Sequence, residues 1–208
     1  MFPLTPDELD ERDGFIEERY QKSPNVGALW AQFDATRAGF KPTLLCKRIK
    51  ELARSTFSQV KCNKIVAFGG LGISAPPLMA KRMQTQHAAL LAIREVWKET
   101  NQGDLPIYLQ DPQYLAMDQE VAAKYGMQIL NGDFGHQMGW AKIDDSTLVV
   151  DLTTVFPIYE LIFEIARPAA LFTSGPIDPN WTDLWVDQPY SLTLRHDGKE
   201  IVVPDLGR

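Results

Sequence analysis

The side chains best suited to chemistry fall in three places along this chain. His136 sits in NGDFGHQMGW, among glycines, with Asp133 just before it and Trp140 just after. Imidazole titrates near neutral pH and suits proton transfer, so His136 is the leading general acid/base candidate. Asp133, or Asp151 at the end of TLVVD, is the carboxylate that would orient it. The plainer alternative is an exposed loop histidine. The second place is Gly69-Gly70-Leu71-Gly72 with Ser74, directly after the apolar run Ile65 to Phe68. A strand feeding a glycine loop and then a helix brings backbone N–H groups against a phosphate or the polar end of a cofactor. Gly69, Gly70, Gly72 and Ser74 are therefore candidate cofactor contacts. The spacing is not GxGxxG, so no dinucleotide is specified, and a tight turn with Ser74 capping the next helix explains the same residues. The third place is Asp111 in LQDP. An acid at a strand end can accept ribose hydroxyls, although Asp is also favoured in a turn before Pro112.

Other residues carry weaker signals. His87 shares an i+4 row with Met79, Met83 and Leu91, which reads as a packed helix residue. A Ser174-His136-Asp151 triad can be written down, but no GxSxG elbow supports it. His196 falls at a turn, and no HxxxH or HExxH pattern points to a metal. Cys46 and Cys62 belong to no CxxC motif and read as free thiols of a reducing compartment. Tyr114, Phe134, Trp140, Phe156 and Tyr159 gather near the same predicted edge, as core or as pocket lining. The Trp181, Trp185 and Tyr190 stretch reads as a loop that either covers that edge or wraps the fold.

These residues are positioned by an alternation of helices and strands. Thr5-Pro6-Asp7-Glu8 starts a helix that runs to about Gln21. Val26, Leu29, Trp30 and Phe33 form the apolar stripe of a second helix, ended by Gly39. Thr43 caps a third, with Leu45, Ile49, Leu52 and Phe57 expected to face inward. From Lys64 the pattern predicts five strands, at Lys64 to Phe68, Pro106 to Gln110, Met127 to Leu130, Thr147 to Leu152 and Ala169 to Thr173. Helices fall between them at Pro77 to Glu99, Gln113 to Lys124 and Phe156 to Ala166, and Asn131 to Gly139 reads as a polar, glycine-rich loop. Asp197-Gly198 marks a closing hairpin. Apolar strands joined through helices imply a mostly parallel sheet in a Rossmann-like three-layer α/β sandwich. Residues 1–60 are expected to pack on that core as a helical extension, so that 1–208 form a single domain.

Composition narrows the function. The chain has 208 residues and a net charge of −6, which argues against a nucleic-acid binder. The one dense basic stretch, Lys47, Arg48, Lys50 and Arg54, is broken by Glu51 and reads as a solvated helix face. The N-terminus is acidic without an apolar h-region, and no run of about 18 apolar residues occurs. No membrane association is expected, and the cytoplasm or nucleus is the expected compartment.

The order IVAFGGLGIS, MQTQHAALLAI, LQDP and VVDLTTVFPIYELI resembles the Sensitivity-to-Red-light-Reduced (SRR1-like) family over about Lys64 to Pro176. That resemblance implies a Rossmann-like fold more than a reaction, with links to circadian, cytoskeletal and haem-linked regulation. Members commonly carry a His-Cys pair where this chain has Thr154-Val155-Phe156-Pro157, so roles that need that pair are not carried over. Two functions follow as expectations. One is a small-molecule-binding protein, with S-adenosylmethionine or another nucleotide-type ligand, performing transfer or isomerisation on an organic metabolite. The other is a non-catalytic regulatory protein that engages a protein partner. Haem would need an axial ligand from His87, His136, Cys46 or Cys62, none of which has a supporting motif.

Overall fold

Lys64–Phe68 (β1) is apolar and buried from Ile65 onward, as a central parallel strand covered by helices on both faces requires. The computed structural model describes residues 25–100, 103–130, 138–152, 154, 158–173, 192–196 and 199–203. It places β1 between Ile107–Gln110 (β2) and Thr147–Asp151 (β4). Met127–Ile129 (β3) lies outside β2, and Ala170–Phe172 (β5) lies outside β4. All four pairings are parallel, in the order β3-β2-β1-β4-β5.

Five described helices belong with this sheet. Val26–Phe40 (α1) is capped by Asn25, whose side chain accepts Ala28 N–H at 2.9 Å. Leu44–Gln59 (α2) is capped by Thr43, which accepts Cys46 N–H at 3.1 Å, as its sequence predicts. Pro77–Thr100 (α3) and Ala116–Lys124 (α4) carry the chain from β1 to β2 and from β2 to β3. Ile158–Ile165 (α6) joins β4 to β5. The first two connections step one way along the sheet and the last steps the other way. Right-handed crossovers therefore put α3 and α4 on one face and α6 on the opposite face. Ile65, Ala67, Ile107, Leu109, Leu148 and Val150 pack with the first group, which α1 and α2 also join. Val66, Phe68 and Val149 pack with Ile158 and Ile162 of α6.

Three local expectations are corrected. Leu45 and Leu52 face solvent rather than the core, while Cys46 and Ala53 are the buried residues of α2. Ser74 does not cap the following helix, which starts three residues later at Pro77. The stretch after β3, read as loop through Gly139, contains a single helical turn at Met138–Ala141 (α5). Cys46 and Cys62 are free and buried, and burial raises both thiols above their ordinary pKa. In the basic stretch, Lys50 and Arg54 reach Glu95 and Glu99 of α3 at 2.9 and 3.0 Å. No described helix is long and apolar enough to cross a membrane.

The chain divides into two units, residues 1–174 and 175–208. In the second, Leu192–His196 (β6) and Lys199–Val203 (β7) pair antiparallel with His196 opposite Lys199. This is the hairpin that Asp197-Gly198 predicts.

Candidate functional site at the carboxyl edge

The direction of strand addition reverses between β1 and β4, and Phe68 pairs with Asp151 at their carboxyl ends. In doubly wound sheets this reversal opens the crevice where ligands bind. The Gly69 to Ser74 loop leaves β1 at that point.

Its backbone is unusual. Gly69 and Gly72 have φ of +74° and +105°, and Leu71 has φ of +58°. A leucine in the left-handed region costs about 1–2 kcal/mol, because its Cβ crowds the backbone. Asp111 holds it there. Leu71 N–H donates to Asp111 Oδ2 at 3.0 Å, and Gln113 N–H donates to Oδ1 at 2.8 Å. Asp111 is buried, so its carboxylate is oriented toward the protein's own amides.

Gly70 is glycine for a different reason. A Cβ there would lie 2.1 Å from the Tyr114 hydroxyl and 3.2 Å from His87 Nε2. His87 Nδ1 lies 2.7 Å from the Met83 carbonyl, which can only accept, so Nδ1 carries the proton. Nε2 is then an acceptor, and the Tyr114 hydroxyl donates to it at 2.8 Å. Burial pulls His87 down to about 4, against the Met83 carbonyl and the Asp111 carboxylate, which favour the charged form. Burial, then the carboxylates of Asp111 and Asp118, raises Tyr114 well above 10. The pair is therefore a neutral imidazole and a neutral phenol at pH 7.

The far end of the loop is tied to α4. Ser74 donates twice to Asp118, from N–H at 2.7 Å and from its hydroxyl at 3.0 Å. Asp118 also accepts Leu115 N–H at 2.7 Å, which makes it the first-turn acid that closes its own helix start. From the helix side, Gln84 donates to the Ile73 carbonyl at 3.2 Å and accepts the Thr36 hydroxyl at 2.8 Å. Gln110 accepts Gly139 N–H at 3.0 Å, which ties α5 to the end of β2.

The sequence candidates are therefore used as follows. Gly69 and Gly72 supply positive-φ turns, and Gly70 makes room for Tyr114. Ser74 and Asp111 bind the protein itself, so they support the loop from beneath. Asp151 accepts both the N–H and the hydroxyl of Thr154 through Oδ1, at 3.0 and 2.8 Å, which is the turn-capping alternative for it. His136, Asp133 and Ser174 lie outside the described residues, as do Phe134, Phe156, Trp181, Trp185 and Tyr190. Trp140 stacks on Phe68 at 4.7 Å. Of the haem-ligand candidates, His87 has both ring nitrogens engaged, and Cys46 and Cys62 are buried.

Gln84 and Asp118 are the members that sequence reasoning passed over, and Tyr114 was read only as core or pocket lining. The sequence held no signal for them, because the close approach to Gly70 shows only once Tyr114 and His87 lie against it. Replacing Gly70 with alanine is expected to cost about 2–3 kcal/mol through overpacking. Gly39→Ala is the control. It has nothing within 4 Å of the added methyl and should be neutral or stabilising by up to about 1 kcal/mol. Equal denaturation midpoints for the two variants would show that Tyr114 does not occupy this space.

A profile of the SRR1 domain matches residues 45–183, which spans β1 to β5 and includes the glycine loop with Gln84, His87, Asp111, Tyr114 and Asp118. No curated protein matches this chain, and no solved structure does. With the match covering well over half of the chain, this protein belongs to the SRR1 domain family.

Proposed function

We propose that this domain binds a small organic molecule at the crevice between β1 and β4, against the outer side of the Gly69 to Ser74 loop. The observation that carries this reading is where the polar groups are buried. Ser74, Gln84, His87, Gln110, Asp111 and Asp118 are six of the seven buried polar residues described, and all gather at the carboxyl ends of β1 and β2. Buried polar groups cost stability unless satisfied, and an otherwise apolar core gains nothing from them there. A network that holds one strained loop at a ligand-binding crevice is how folds preorganise a site.

The same network bears on the ligand. Carboxylates of Asp111 and Asp118 already accept loop amides, and they disfavour a phosphate in that place. S-adenosylmethionine, which carries a sulfonium and no phosphate, suits the loop better than ATP or NAD. If the bound molecule is transformed, His136 is the acid/base residue in this reading, with Asp133 or Asp151 as its carboxylate partner. Transfer or isomerisation on an organic metabolite would then be the reaction.

One observation favours a second reading, that of a regulatory protein with a vestigial pocket. The Tyr114 hydroxyl lies against Gly70, so the chain itself fills the space beside this part of the loop. A thermal-shift panel separates the two. S-adenosylmethionine, S-adenosylhomocysteine, NAD(P), ATP, FAD and haemin would be tested against the wild type. Binding at a hundred times the dissociation constant stabilises by about 2.7 kcal/mol, enough to raise the melting temperature visibly. A shift with S-adenosylmethionine or its product, and none with ATP, is the expected result. Silence across the panel would overturn the ligand reading in favour of the regulatory one.

A further inference from the structure

Helix α2 presents an apolar stripe to solvent. Leu44, Leu45 and Leu52 are 71%, 57% and 61% exposed, while Cys46 and Ala53 on the opposite side are buried. Leu45, Arg48 and Leu52 stand at i, i+3 and i+7 and share one face. Arg48 is thus a cation set between two leucines. Its bond to Glu51 is 3.5 Å long with both side chains mostly exposed, a pair worth little. Lys50 and Arg54 are committed on the other flank to Glu95 and Glu99.

We propose that this stripe is covered by the chain's own residues 1–24, docked antiparallel to α2. This inference goes beyond the ligand site and does not depend on it. Thr5-Pro6-Asp7-Glu8 has the sequence of a helix start, and a helix from that point would bring Leu9, Asp13 and Ile16 to one face at i, i+4 and i+7. Set antiparallel with Ile16 opposite Leu45, the same register puts Asp13 opposite Arg48 and Leu9 opposite Leu52. Apolar meets apolar at both ends, and opposite charges meet between them.

Charge and reach agree with that register. Residues 1–24 hold seven carboxylates against three cations, whereas α2 holds four cations against one carboxylate. The nine peptide steps from Ile16 to Asn25 span up to about 30 Å. Helix α1, which separates Asn25 from the start of α2, is about 22 Å long. Ile16 can therefore reach Leu45 with residues 17–24 serving as the connection.

Hydrogen exchange read by mass spectrometry on the full chain tests this. Backbone amides of residues 5–16 should exchange about tenfold more slowly in the wild type than in the Leu45→Asp/Leu52→Asp variant. Both leucines stand in solvent, so the thermal midpoint of the remaining fold should change little. Arg48→Asp should also lose the protection, and Asp13→Arg combined with Arg48→Asp should restore it. Absence of protection in the wild type, or protection untouched by the leucine changes, would overturn the proposal. So would failure of the charge swap to restore it. Protection that grows with protein concentration would also overturn it, because the occupant would then be a second copy of the chain.

Discussion

Asp118→Ala is expected to destabilise the protein by about 3–5 kcal/mol, the largest effect of any single change at the carboxyl edge. The carboxylate is wholly buried and accepts hydrogen bonds from Ser74 N–H, the Ser74 hydroxyl and Leu115 N–H. Alanine would take away the acceptor that two backbone donors and a hydroxyl share inside the protein. It would also untie the glycine loop from α4, so the loss is one of positioning as well as of energy. In a domain of this size the melting temperature should fall by about 10 °C or more. Asp118→Asn is the informative companion, because one of its oxygens still accepts while the amide turns a donor toward Leu115 N–H. It should fall between alanine and wild type. A melting temperature for Asp118→Ala within about 2 °C of wild type would mean that the loop does not depend on this carboxylate.

Acidification should unfold the protein through His87. In the folded state burial holds this imidazole at about 4, against 6.5 for an ordinary histidine. The unfolded chain therefore binds the proton first. Stability from the neutral, buried ring is fully present above pH 6.5 and is lost progressively as pH falls from there toward 4. The displacement corresponds to about 3 kcal/mol across that window. Denaturant titrations at pH 7, 5.5 and 4.5 should show that loss in the wild type and a flatter profile in His87→Gln. Carboxylates elsewhere titrate in both proteins, so the difference between the two profiles isolates the imidazole. The ring resonances of His87 give a second readout, and should report a neutral Nδ1–H tautomer down to about pH 5. Parallel stability profiles for the two proteins would show that His87 is not the titrating group.

These two effects have one architectural origin. Asp118 comes from the first turn of α4, His87 from the middle of α3 and Tyr114 from the turn between β2 and α4. They meet because the two crossovers that follow β1 lie on the same face of the sheet. Loop, phenol, imidazole and carboxylates therefore form one connected unit. A ligand that grips the loop would be felt in the packing of α3 and α4.

Much of this was determined by the sequence alone. The helical stripe from Val26, the helix start at Thr43, the five strands and the Asp197-Gly198 hairpin are local properties, set by caps, periodicity and turn residues within a few positions. The parallel sheet follows because apolar strands joined through helices admit few other arrangements. Family membership was legible for a related reason, since it rests on the order and spacing of several short segments. What the sequence could not decide was the partner of each polar group. Asp111 looked like a ribose acceptor and accepts Leu71 N–H; Ser74 looked like a helix cap and binds a carboxylate 44 residues away. His87 read correctly as packed, but its bond to Tyr114 depends on how α3 meets the turn between β2 and α4. Leu45 and Leu52 kept helical spacing yet face outward, because periodicity defines a stripe without saying what covers it. Hydrogen bonds and exposure are set by which elements come together, and only the tertiary structure brings them together.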